Sequence, residues 1–181
     1  MLLQFIIFAP RMKIIENYAY RLLNKKTRAL KRRVKLPDPE TAGKVGVLWH
    51  PSHREAFQYL HDFFSHKQAI FRNLCVYSEE PNEPGGTNIV TPKDLNWMGF
   101  PKPGPCDDFI KTEFDLLLNI TLESNRAIDY ITALSRAKFK IGWSPGEKNF
   151  FDLNINIHQN QDALFLAQQQ IFYLAQLNKT T

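Results

Sequence analysis

FDLLLNIT, from Phe114 to Thr121, is the run that most narrows what this chain can fold into. It is apolar at most positions, far too short to cross a membrane, and bounded by polar segments. That is the profile of a strand buried on both faces, and such strands lie inside parallel sheets covered by helices on either side. The neighbouring segments agree. KVGVLW at Lys44–Trp49, NLCVY at Asn73–Tyr77 and KFKIGW at Lys138–Trp143 read as further strands. Between them lie helical patterns. Ser52 and Glu55 have the spacing of a capping box, which opens a helix to about Ser65 with Ala56, Phe57, Leu60, Phe63 and Phe64 turned inward. A second helix spans about Asn125 to Ala137, and a third, burying Leu164, Ala167, Ile171 and Leu174, runs from Gln161 to about Leu177. Strands that alternate with helices predict crossover units and a mostly parallel sheet. Phe151, Leu153, Ile155 and Ile157 alternate with Asp152, Asn154, Asn156 and His158, which predicts a strand with one wet face near a sheet edge.

The alternation stops between Glu79 and Glu113, a stretch of 35 residues with six prolines and four glycines. Loops of that length are uncommon inside a domain unless they serve a function or are disordered. Ile89 and Val90 could form a short strand there, and Trp97 and Phe100 predict that part of the excursion packs back onto the body.

Charge is as unevenly placed as structure. Ten of the 23 Lys and Arg residues lie between Arg11 and Lys35 beside a single acid, Glu16, so this segment carries +9 against +5 for the whole chain. The chain therefore divides into an extension over residues 1–36 and one α/β domain over residues 37–181. Residues 13–33 read as a helix whose first half has an apolar stripe: Ile15, Tyr18 and Leu22, flanked by Ile14, Ala19 and Leu23. Its second half presents Lys25, Lys26, Arg28, Lys31, Arg32 and Arg33 as an anion-binding surface. Phosphates of RNA or of a ribonucleoprotein fit that density, through residues 13–35. An anionic membrane surface or a protein partner would also fit, as would a plainly solvated face.

Residues 1–10 are apolar but lack the positive start and small-residue cleavage site of a signal peptide. They read either as a short membrane-surface plug or as an upstream segment before a start at Met12. Without a signal peptide the expected compartment is the cytoplasm, where Cys75 and Cys106 stay reduced.

Catalytic parts are sparse. Ligands of open parallel sheets sit beyond the carboxyl ends of the strands, and the residues placed there include His50, His53, Glu79 and Glu123. His50 and His53 could serve acid–base chemistry or bind a metal or phosphate. The simpler alternative is that Ser52 caps the helix, leaving both as loop residues. No carboxylate or Cys stands at a spacing that completes a metal set. Gly-x-Gly-x-x-Gly, Gly-Lys-Ser/Thr and Gly-x-Ser-x-Gly are all missing, so no nucleotide cofactor is expected.

The run Phe114–Thr121 with Tyr130–Gly142 (YITALSRAKFKIG) resembles a family of short bacterial proteins known as a domain of unknown function. More distantly, Asp115, Leu116, Ala137, Lys138 and Gly142 resemble the N-terminal domain of heptosyltransferase-type glycosyltransferases. That likeness implies a three-layer, Rossmann-like α/β domain. It departs from those enzymes where they carry Gly-Asp, since His50-Pro-Ser-His53 stands here, and 181 residues leave no room for their second domain. The expected function is thus a non-enzymatic binding or adaptor module. The alternatives are a small enzyme or degenerate glycosyltransferase-like domain, or a peripheral membrane-surface protein.

Overall fold

A computed structural model describes residues 2–82, 88–123, 125–146 and 149–179, with side chains from Lys13 onward. The apolar runs become strands β1 (Lys44–Trp49), β2 (Ile70–Val76), β3 (Ile89–Val90), β4 (Leu116–Asn119), β5 (Lys140–Gly142) and β6 (Leu153–Asn154). All pair in parallel, in the order β3-β2-β1-β4-β5-β6. The chain thus winds outward from β1 first to one side and then to the other, the doubly wound arrangement of Rossmann-like sheets. The alternating Phe151–His158 segment forms the edge strand, pairing over only two residues at Leu153–Asn154.

Alternation of side chains divides the core in two. Val45, Val47, Leu116, Leu118, Ile120 and Ile141 face helices α2 (Arg54–Ser65) and α5 (Ala163–Lys179). Leu48, Leu74, Val76 and Leu117 face helices α3 (Asp107–Lys111) and α4 (Arg126–Leu134). Leu116 through Leu118 and Ile120 have no exposed surface, and burial of each side chain stabilises the fold by about 1.5–3 kcal/mol. The glycine inside β1 has a steric reason. A Cβ on Gly46 would lie 2.9 Å from the Phe114 ring, which fills the space over the strand.

Helix α1 (Leu2–Ala29) lies against α4. Ala19 and Leu23 are fully buried with Phe100 and Ala133, while Leu22, Met98 and Tyr130 pack around them. The packed face is therefore rotated from the predicted stripe. Ile14 and Tyr18 point outward, 67% and 57% exposed. The helix also ends at Ala29, not near Arg33. Beyond it Arg32 turns inward, donating to both carboxylate oxygens of Asp152 and to the carbonyls of Ala137 and Lys138. Lys35 N–H then donates to the Lys138 carbonyl at 3.1 Å, tying the strap to the sheet. The readings of residues 1–11 fall on side chains outside the described residues.

Local signals also shift. No capping box forms at Ser52 and Glu55: α2 begins after His53, which makes no side-chain cap, and Pro51–His53 is a 3-10 turn. The capping interaction appears instead at Thr91, whose N–H and hydroxyl donate to the Asp94 carboxylate at 2.8 and 3.1 Å. In the 79–113 excursion the chain adds β3, Pro92–Asp94 and α3. Cys106, within the excursion, is buried.

Candidate functional site

Two surfaces carry the chemistry, and α1 contributes to both. The first is a cleft of about 750 Å³ at the carboxyl ends of β4 and β5. Its walls are the inner polar face of α1 (Glu16, Asn17, Tyr20, Arg21, Asn24), the β4–α4 segment (Asn119, Thr121, Glu123, Asp129) and the segment after β5 (Trp143, Ser144, Asn149, Phe150, Phe151). Asn119 sets its floor. Its Oδ1 accepts from Thr121 N–H at 2.9 Å and Thr121 Oγ1 at 2.7 Å, and its Nδ2 donates to Thr132 Oγ1 at 3.2 Å. From the other side of the sheet Gln170 Nε2 donates to the Asn119 carbonyl at 2.8 Å.

Tyr20 joins α1 to this wall by donating to Asp129. Burial pushes the Asp129 carboxyl above the ordinary range, and that hydrogen bond opposes the shift. Trp143, 8% exposed, has an indole N–H with no acceptor among the described residues. Among the described residues the wall carries Glu16, Glu123 and Asp129 against Arg21, an acidic excess that suits a neutral or cationic polar molecule better than phosphate.

The residues expected at the strand ends are only partly brought together. His50 and His53 rings stand 5.8 Å apart. His50 Nδ1 accepts from Ser52 N–H at 3.3 Å and lies 2.7 Å from Ser52 Oγ, so His50 caps the Pro51–His53 turn, and Ser52 does not cap the helix as expected. Burial lowers the His53 pKa, helped by His50 and opposed by Glu123 and Asp162. Ser78 Oγ reaches Glu123 at 3.4 Å. Glu79 is exposed. Of the four, Glu123 alone lines the cleft. No group of three or more His, Cys, Asp or Glu among the described residues could hold a metal ion. Burial pushes the thiols up, Cys75 to about 12 and Cys106 to about 11, which disfavours the nucleophilic thiolate.

The second surface is the outer face of α1. Ile14, Tyr18, Arg21, Lys25 and Arg28 recur at three- and four-residue spacing, all exposed, and so form one stripe, with Arg21 on the edge that the stripe shares with the cleft wall. Lys31 and Arg33 continue it in exposed positions past the helix end. Glu16, the segment's one acid, is turned into the cleft. Two predicted anion contacts are placed differently. Arg32 is engaged by Asp152, and the Lys26 ammonium lies 5.4 Å from the centre of the Tyr130 ring. Among the described residues no ion pair engages Arg21, Lys25, Arg28, Lys31 or Arg33.

Sequence reasoning missed the polar inner face of α1. The signal was present in the spacing of Glu16, Tyr20 and Asn24, four residues apart.

Fold and surfaces define a doubly wound α/β protein with an N-terminal helix laid beside the strand ends. The chain belongs to the DUF6913 family, a family of unknown function, whose model matches residues 11–177. No curated protein and no solved structure matches it.

Proposed function

We propose that this protein is a non-enzymatic binding or adaptor module that docks on RNA, free or within a ribonucleoprotein, through the outer face of α1. The observation that carries the reading is the exposed stripe of Arg21, Lys25 and Arg28, continued by Lys31 and Arg33, none of which is in an ion pair among the described residues. Phosphate neutralisation needs cations that are accessible and not already paired, and counterion release then supplies affinity. RNA is favoured over lipid because an interfacial helix needs its apolar face for the bilayer. From Lys13 to Ala29, Ala19 and Leu23 are committed to the body, and the outward stripe offers only Ile14 and Tyr18 as apolar side chains among its cations. No helix among the described residues is long and apolar enough to cross a membrane. The compartment in this reading is the cytoplasm.

Lys25→Glu/Arg28→Glu/Lys31→Glu tests it. The full chain should bind single-stranded RNA with an affinity that falls steeply with salt, and the slope should shrink by about 0.7 for each phosphate that is no longer neutralised. Binding unchanged by the triple substitution would refute the reading. So would recovery with anionic vesicles in place of RNA.

The cleft favours a second reading, a site for a small amine or polyol, through the carboxyl-rich wall and the indole N–H of Trp143. Thermal shift with such compounds, compared between the natural chain and Glu16→Gln, would test it.

A further inference from the structure

Trp97 is 71% exposed, the highest value among the large hydrophobic side chains described. A lone exposed aromatic needs no explanation. Its setting here does. Trp97 stands at the tip of a turn that Asn96 fastens at every level. Asn96 N–H donates to the Phe100 carbonyl at 2.8 Å, and the Asn96 carbonyl accepts from Gly99 N–H at 2.8 Å. Its side-chain oxygen accepts from Met98 N–H at 2.9 Å and Phe100 N–H at 3.2 Å. Gly99 closes the turn at φ +78°, a conformation that favours glycine. An antiparallel bridge between Leu95 and Pro101 shuts the base. The indole is thus held out on a rigid mount, so a ligand that covers it loses little backbone freedom in the mount.

The mount is joined to the basic helix. Phe100 packs at 5.0 Å between ring centres on Tyr130, and the Lys26 ammonium lies over the same Tyr130 ring. Met98 and Leu22 share the cluster that holds Ala19 and Leu23. The Arg126 guanidinium adds a further cation, its Nε 3.1 Å from where a Cβ on Gly99 would stand. On α1 itself Tyr18 lies on the same outward stripe as Arg21 and Lys25. Cations that track a backbone and aromatic faces that accept bases are the two components of single-strand recognition.

We infer that the ligand of this surface is single-stranded RNA, with Trp97, assisted by Tyr18, stacking on unpaired bases while the α1 cations hold the phosphates. This inference rests on the RNA reading above and adds what that reading leaves open, the strandedness of the RNA and the side chain that reads it. A base inside a duplex offers no free face to Trp97.

The probe is dodecauridylate, with an RNA duplex of equal length as comparison, added to the full chain while tryptophan emission is followed. Trp143 is buried and Trp49 is stacked on Phe57, so quenching reports mainly on Trp97. The expected result is quenching by the single strand and not by the duplex. Trp97→Leu should abolish the quenching and weaken binding roughly 5- to 150-fold, the range of one base-stacking interaction, with the salt slope unchanged. Trp97→Phe should recover part of the affinity. Salt-dependent binding of dodecauridylate without quenching, and unaffected by Trp97→Leu, would overturn the stacking inference and leave the phosphate reading standing. Equal affinity for the duplex would also overturn it. Failure of both RNAs to bind would overturn both readings.

Discussion

Lys140 gives the sharpest test of how the strap after α1 is held. Its side chain is 2% exposed, and Nζ donates to the Ala133 carbonyl at 2.9 Å. Burial, together with the Arg32 guanidinium and opposed by Asp152, lowers its pKa from 10.5 to about 7. Between those values the unfolded chain holds a proton at Lys140 that the folded chain has released. Stability therefore rises with pH through this window, and the penalty for a buried ammonium is fully present only below pH 7. Integrated from pH 6.5 to 8.5, one such group contributes about 2 kcal/mol, since each unit of differential titration is worth about 1.36 kcal/mol. For a chain of this length that is a rise of roughly 4–8 °C in Tm. The window stops short of the region where the buried thiols would pull stability the other way. Lys140→Met removes the titration and keeps the apolar stem, at the cost of a partner for the Ala133 carbonyl. Differential scanning calorimetry of both proteins should show a Tm difference that changes by about that amount from pH 6.5 to 8.5. Parallel curves would refute the argument, because they would mean that the ammonium stays charged where it lies.

Other substitutions probe the same framework. Asp152→Ala removes the carboxylate shared by Arg32 and the Lys140 N–H, and should cost on the order of 2–4 kcal/mol in denaturant unfolding. It should also raise proteolysis between Leu30 and Lys35. Gly46→Ala drives a methyl group into the Phe114 ring and should cost about 1–3 kcal/mol. Tyr20→Phe leaves Asp129 without its donor and should cost about 1–3 kcal/mol near neutral pH, read from the urea midpoint.

Much of this architecture was legible from periodicity. β1 begins and ends at the expected residues because Lys44–Trp49 is sharply bounded by glycine and proline neighbours. The edge position of Leu153–Asn154 followed from one wet face. What could not be read was the orientation of α1. Ile15, Tyr18 and Leu22 make as good a stripe as Ala19 and Leu23, and only the fit against Ala133 and Phe100, residues far along the chain, centres the packed face on Ala19 and Leu23. Ala19 permits close approach where Tyr18 would not. The cap at Ser52 failed for a similar reason: Pro51 starts a tighter turn that His50 caps first. Arg32 looked like one more exposed cation because its partner lies 120 residues away. Charge density located the cluster of cations, and distant pairing determines that Arg32 is engaged by Asp152.

That separation has a consequence for how the protein is made. α1 leaves the ribosome before every other described element, yet Tyr20 bonds to a residue 109 positions later and Arg32 to one 120 positions later. At the usual pace of synthesis, about 5–20 residues per second, the helix waits on the order of 5–20 s for its berth. β1 likewise cannot acquire its β4 neighbour until the chain has passed Asn119. The newborn chain therefore holds its most basic segment and the apolar patch of Ala19 and Leu23 without their partners until Phe100, Asp129, Ala133 and Asp152 have been made.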